Sequence, residues 1–328
     1  MADKYHILIK HRLINTLQLY LLFSLLSGLV AYVALLIGGP LLAALSFGVV
    51  VLLYIYNPYI GTAFILKMYK AELIPYSSAP ALYDLLDIIA DRAELKKTPN
   101  LFYIRSSVLN SFSIGQRDNA VVALSDGLLQ QLSYEELAGV LSHEISHIKN
   151  NDIQVMTFAD LAGRIIKILS LMGQLFILLS LPLAILANVE INFLPLLIIA
   201  FAPVASDLIQ LGLSRLREYE ADYTSAMLLG DARPLAAALK KIDFYEHHYF
   251  RNAFSPFVKI QEPSILRTHP QTEERIKRLL EIQHAIEYTP HAHEQVQHNS
   301  DYLSGKKNHH SIKTKHTKPR RHSNGFWY

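Results

Sequence analysis

No cysteine occurs in the 328 residues, so disulfides, iron–sulfur clusters and thiolate zinc sites are excluded, and any metal must be held by His, Asp or Glu. The same absence leaves the redox compartment undecided. Charge is missing from a long stretch, with no Lys, Arg, Asp, Glu or His between Leu13 and Leu66. That run exceeds what one soluble helix needs and can cross a bilayer twice at about twenty residues per span. Acids are scarce at the other end, where seven Lys or Arg and seven His from Tyr288 onward are opposed only by Glu294 and Asp301. This segment also lacks apolar periodicity and reads as a basic, His-rich disordered tail over 288–328. Apolar residues make up 51% of the chain, which fits a wholly soluble protein poorly. The net charge of +3 says little about partners, because Lys and Arg are gathered beside the apolar runs and in the tail.

Gly38-Gly39-Pro40 break the first apolar run into spans of roughly 17–37 and 41–56. Tyr54, Tyr56 and Tyr59 around Asn57-Pro58 suit an aromatic belt at the interface. A cleaved signal peptide would have an apolar region of about 7–15 residues, which this run outlasts. A second apolar pair lies over 168–213, interrupted by a tight connection at 188–192. Pro182, Pro195, Pro203 and Asp207 make it less uniform, so a partly inserted hairpin covering a site competes with a spanning one, which its length favours. Asp207 reads as a polar residue satisfied between helices. Lys4, Lys10, Arg12 and Lys67 flank the first pair, and Arg164, Lys167, Arg215 and Arg217 the second. All these charges fall on one side, which the positive-inside rule makes the cytoplasmic face of the inner membrane, with both termini there.

The expected fold is thus an α-helical membrane protein with four predicted transmembrane helices in two hairpins and an α+β cytoplasmic domain. Its parts are a membrane hairpin over 1–66, the first half of the domain over 67–163, a second hairpin over 164–213, the second half over 214–287, and the tail. In the first half, 101–104 and 120–124 have β character. Ser133 and Glu136 form a capping-box pattern, after which Leu137, Val140, Leu141, Ile145 and Ile148 recur at helical spacing. Helices are also predicted over 214–229, ended by Gly230, and over 234–245 and 270–286.

The capped helix carries His143-Glu144-Ile145-Ser146-His147. Two histidines four apart share a helical face and can both reach one Zn²⁺ through imidazole nitrogens. Glu144 falls within the apolar stripe, where an unpaired carboxylate is costly. Beside a zinc-polarised water it is instead placed to act as general base in hydrolysis. The bland reading is a helix with two satisfied surface histidines and an incidental Glu. A catalytic zinc needs a third protein ligand, and Glu218 is the candidate. Glu218 and Asp222 are like charges four apart on a predicted helix, which destabilise each other unless a cation or donor lies beside them. Asp222 would then orient a ligand histidine by accepting its second ring N–H. Spacing alone leaves Glu220, Asp152 and His269 as alternatives, and a solvated acidic face offset by Arg215 and Arg217 as the bland reading.

The stretch 141–148, with Asn151-Asp152 downstream, resembles the HtpX-type membrane metalloproteases, relatives of the CAAX prenyl proteases. The likeness continues in 214–222, similar to that family's ExxxD motif, and in Thr268-His269-Pro270 followed by Glu273-Glu274-Arg275-Ile276. It covers roughly 10–286 and implies a gluzincin-like zinc metalloprotease domain with one Zn²⁺ per chain. It further implies His143, His147 and Glu218 as metal ligands, Glu144 as catalytic, Asp222 as an orienting residue and His269 near the reacting atoms. Asn110-Ser111-Phe112 loosely follows the family's Asn-Ala-Phe pattern and implies an edge strand that pairs with extended substrate. The expected partners are unfolded or misfolded polypeptides and membrane lipid, in a quality-control role that the resemblance alone suggests. No fold motif supports nucleic-acid binding. The competing class is a catalytically silent zinc-binding membrane adaptor, against which the intact Glu144 argues, and a third reading is a metal sensor or transporter with the histidine tail collecting ions. A transport pathway would need ionisable residues that the spans nearly lack.

Overall fold

A computed structural model describes residues 2–188, 192–252 and 272–287. Its order is α1 (Ala2–Met68), β1 (Glu72–Leu73), α2 (Pro80–Arg92), β2 (Asn100–Ile104), β3 (Ser111–Ile114), β4 (Val121–Ser125), α3 (Asp126–Gln131), α4 (Tyr134–Lys149), α5 (Asp152–Leu186), α6 (Phe193–Leu229), α7 (Arg233–Asn252) and α8 (Thr272–Glu287). His269 and its neighbours Thr268 and Pro270 lie outside the described residues, as does the tail from 288. The chain divides into two units, one comprising 13–60 and 154–216 and the other the remainder.

In the first of these units α1 is interrupted where the sequence places a break. Gly38 and Gly39 leave helical geometry, and Gly39 adopts a φ of 69°, a left-handed conformation that costs glycine little. Leu26, Val30, Val33 and Ala34 of α1 pack with Phe158, Ala162 and Ile166 of α5 and with Ala202 and Leu213 of α6. The rings of Phe23 and Phe158 stack at 4.3 Å. Most other large side chains here point outward and are apolar, among them Leu17, Phe176, Leu179, Leu186 and Phe201. Among the described residues, three helices are long and apolar enough to cross a membrane, over Thr16–Leu52, Asp152–Leu183 and Phe193–Leu229. So much outward apolar surface is stable in lipid and unstable in water. Asp207 meets Lys167 of α5 in an ion pair at 2.8 Å.

The other unit is built on a four-stranded sheet in the order β1-β2-β4-β3. β2 runs parallel to β4, with Asn100 opposite Val121, while β1 and β3 pair antiparallel on either side. All five residues of β4 are buried, as expected for a central strand. Among the described residues β3 has one neighbour, with Ser111 opposite Leu124, and so forms an edge. One face of the sheet packs Leu101, Val122 and Leu124 against Leu82, Leu86 and Ile89 of α2 and Leu137, Leu141 and Ile145 of α4. α7 approaches α4 closely at Gly139, where an added Cβ would lie 2.5 Å from the backbone nitrogen of Leu235.

Two features differ from the sequence expectation. β1 is too short to carry a pattern of its own and exists through its pairing with β2. The helix predicted over 214–229 is the last part of α6, which runs unbroken from Phe193. Neither Pro203 nor Gly212 stops it, both being accommodated inside the helix.

Candidate metal centre

The helix bearing the histidine pair starts where its cap dictates. The Ser133 hydroxyl accepts the Glu136 N–H, and the Glu136 carboxylate accepts the Ser133 N–H at 2.7 Å. That fixes the rotation of α4, with Leu137, Leu141 and Ile145 directed into the core. Two hydroxyls then tie it to the end of α6. Ser142 donates to the carbonyl of Ser225 at 3.1 Å, and Ser225 donates back to the carbonyl of Gly139 at 3.4 Å. Glu218, Asp222 and Ser225 stand at i, i+4 and i+7, so the clasp that holds Ser225 also brings both carboxylates to α4.

His143, His147 and Glu218 converge, with one donor atom from each all within 4.8 Å of one another. The two Nε2 atoms are 3.1 Å apart, and Glu218 places Oε2 3.5 Å from His143 Nε2 and Oε1 3.8 Å from His147 Nε2. Donors about 2.0–2.1 Å from a tetrahedral ion are separated by roughly 3.3 Å, close to these values. The far ring nitrogens face carboxylates. His143 Nδ1 is 3.1 Å from Oδ1 of Asp222, and His147 Nδ1 is 2.8 Å from Oδ2 of Asp152. A proton on His147 Nδ1 satisfies the contact to Asp152, and with His143 Nδ1 turned toward Asp222 the two Nε2 atoms are left 3.1 Å apart, where a cation can take both lone pairs. The residues therefore fit a divalent metal with nitrogen and oxygen ligands. In the metal-free protein, burial pushes the His143 imidazole down, but the adjoining Asp222 and Glu218 carboxylates outweigh it and hold its pKa at about 9.

The solvated acidic face does not form, because Glu218, Asp222 and Arg217 are each less than a tenth exposed. Asp222 is gripped at both oxygens by Arg275 of α8, from Nε at 2.8 Å and Nη2 at 2.7 Å. The same guanidinium places Nη1 3.0 Å from Glu218 Oε2. Asp152 stands against His147 rather than beside the three converging donors, and Arg217 pairs with its Oδ1 at 2.5 Å. Glu144 is buried one residue from His143, and its Oε1 accepts a 2.7 Å hydrogen bond from the Ser111 hydroxyl on the edge strand. Glu220 is half-buried.

Sequence reasoning missed Arg217, Arg275 and Ser111 as parts of this centre. Arg275 was visible only inside a motif, and Arg217 only as a counter-charge. No periodicity marks Ser111. Asp152 carried a faint signal, since it follows the left-handed Asn151 that turns the chain from α4 into α5 and back toward His147.

Two imidazoles and a carboxylate around one point, with a buried glutamate beside them and a sheet edge alongside, define the class of His-His-Glu metallopeptidases. Comparison with known proteins narrows the class. The profile of peptidase family M48 matches residues 77–283. A protease HtpX homolog of Persephonella marina is 34% identical over 287 residues, covering 82% of this chain and 97% of that protein. The homolog from Methanocaldococcus jannaschii is likewise 34% identical, over 290 residues, covering 82% and 98%. Among solved structures, the crystal structure of S. mikatae Ste24p aligns with 83% of this chain and 66% of its own length, at 21% identity and a TM-score of 0.45. The chain spans just under two thirds of that protein. The chain belongs to peptidase family M48 and is a membrane metalloendopeptidase.

Proposed function

We propose that the protein hydrolyses peptide bonds of unfolded or misfolded polypeptides with one zinc ion held by His143, His147 and Glu218. The observation that carries this reading is the approach of three ligand atoms at near-tetrahedral separations, both imidazoles having their Nδ1 atoms against carboxylates. When bound, the ion supplies Lewis acidity to the scissile carbonyl and to the attacking water. Glu144 takes a proton from that water and delivers it to the leaving amine. Its Oε1 accepts from the Ser111 hydroxyl, which ties the carboxylate to the edge strand. Asp222 holds His143 in the tautomer that keeps Nε2 free for the ion. The unpaired side of β3 offers backbone donors and acceptors to an extended segment, which would make cleavage depend on an accessible backbone more than on a fixed side-chain pattern. His269 would hold substrate or stabilise the oxyanion.

In this reading the break at Gly38-Gly39 divides α1 into two spans, giving four spans in two hairpins, with the site facing the cytoplasm. The test measures zinc content and casein cleavage in detergent-purified wild type and Glu144→Gln. About one zinc in each and cleavage only in the wild type is expected. Full proteolysis by Glu144→Gln would remove the general-base assignment. Zinc in both with cleavage in neither would favour the silent adaptor.

A further inference from the structure

Each histidine has a carboxylate at its far nitrogen and an arginine on that carboxylate, drawn from different elements. For His143 these are Asp222 and Arg275, and for His147 they are Asp152 and Arg217, but Arg275 also reaches Glu218 and lies 3.4 Å from His143 Nε2. The second set is separate from the ligand set. Arg217 precedes Glu218 by one residue, so the two side chains leave α6 about 100° apart. Glu218 reaches the converging nitrogens while Arg217 reaches behind His147. We propose that Arg217 and Asp152 form a positioning couple that orients His147 for the metal, an inference that rests on the metal reading above.

Three observations support it. Asp152 is 3% and Arg217 9% exposed, and a buried ion pair is an expensive way to obtain stability alone. The two oxygens of Asp152 have divided tasks, Oδ1 toward Arg217 and Oδ2 toward His147 Nδ1. His147 is the more exposed ligand ring, at 16% for the side chain against 9% for His143, so its packing restrains it less. A ring held loosely by packing depends more on the hydrogen bond at its far nitrogen. Arg217 fixes Asp152, Asp152 fixes the tautomer and tilt of His147, and Nε2 is thereby presented to the ion.

The test uses full-length protein in detergent and Zn²⁺ as the probe. Affinity is measured by competition with a chelator, and melting temperature with chelator and with excess Zn²⁺. Arg217→Gln should weaken Zn²⁺ binding by about 10–100-fold and shrink the Zn²⁺-induced rise in melting temperature. The melting temperature in chelator should fall as well, because Asp152 loses its buried counter-charge, and the fall should be larger with excess Zn²⁺. Arg217→Lys retains the charge without the planar fork, and should weaken binding less than Arg217→Gln while remaining measurably below wild type. In an Asp152→Asn background, Arg217→Gln should add no further loss, because the couple acts through that carboxylate. Unchanged Zn²⁺ affinity in Arg217→Lys and Arg217→Gln overturns the proposal. So does an equal loss in both backgrounds, or a fall in melting temperature that is the same with and without Zn²⁺. If the wild type takes up no Zn²⁺, the metal reading fails and the couple fails with it.

Discussion

In the unit formed by 13–60 and 154–216, Leu179 and Leu186 stand 76% and 80% exposed, whereas in the other unit Asp222 and Arg275 are 2% and 3% exposed. One part turns apolar groups outward and the other turns charged groups inward. Each arrangement is unfavourable in plain water and stable only with a particular surrounding. For the outward leucines that surrounding is lipid. For the inward charges it is other charges, placed within hydrogen-bond reach. Removing a charge should therefore have very different consequences in the two units.

The largest effect is expected at Arg275, whose guanidinium contacts both oxygens of Asp222 and one of Glu218. Arg275→Met keeps much of the side-chain volume and strips the guanidinium from two buried carboxylates, leaving the His143 imidazole as a positive neighbour. The expected loss is about 3–5 kcal/mol in metal-free protein, followed by thermal unfolding in detergent. Adding zinc should recover part of it, since the ion supplies positive charge at Glu218. A loss below about 1 kcal/mol would show that water or another group compensates the carboxylates, and the contrast between the units would weaken.

A smaller effect separates the metal-free and metal-bound forms of the charged unit by pH. Asp222 and Glu218 raise the His143 pKa from 6.5 to about 9 against the opposing pull of burial. A raised pKa means that the folded state holds the proton more tightly than the unfolded chain. Its stabilising contribution is then complete below pH 6.5 and lost as pH rises through about 9. Metal binding runs the other way, because the same proton competes with the ion. Below about pH 9 the apparent affinity should fall roughly tenfold per pH unit through this group, and it should level off above. Chelator competition at pH 7, 8, 9 and 10 checks both slope and plateau. A plateau reached already at pH 7 would place the imidazole near its ordinary value.

The same contrast explains what could be read from the residues alone. The apolar unit is written in composition, since 13–66 lacks charge and Gly38-Gly39 marks its break without reference to any distant residue. The capped helix is also local, because Ser133, Glu136 and the histidine pair lie within fifteen residues of one another. Glu218 and Asp222 attracted notice because like charges at i, i+4 need a cation. Which cation was not legible, for Arg275 is 53 residues from Asp222 and 132 from His143. Ser111 reaches Glu144 across 33 residues, from a strand whose place depends on β4. Buried charge networks close through the tertiary fold, so their members look like ordinary surface residues in sequence.

The smallest effect is expected at an ion pair between α5 and α6 inside the apolar unit, Lys167 with Asp207. Both side chains are about half exposed, at 51% and 56%, so neither is locked in a protein interior as Arg275 is. Lys167 stands near the start of the apolar part of α5, and its long stem lets the ammonium reach the polar edge of a bilayer once its partner is removed. Asp207→Asn keeps the shape and a hydrogen-bonding oxygen, and should cost about 1 kcal/mol or less in thermal unfolding. Exchanging the two residues, Lys167→Asp with Asp207→Lys, should likewise be near neutral, because the pair needs opposite signs more than a given order. A cost of 3 kcal/mol or more for Asp207→Asn would mean that this pair is held as tightly as the carboxylates around His143. The difference between the two units would then lie in how many charges each buries, and no longer in how each treats them.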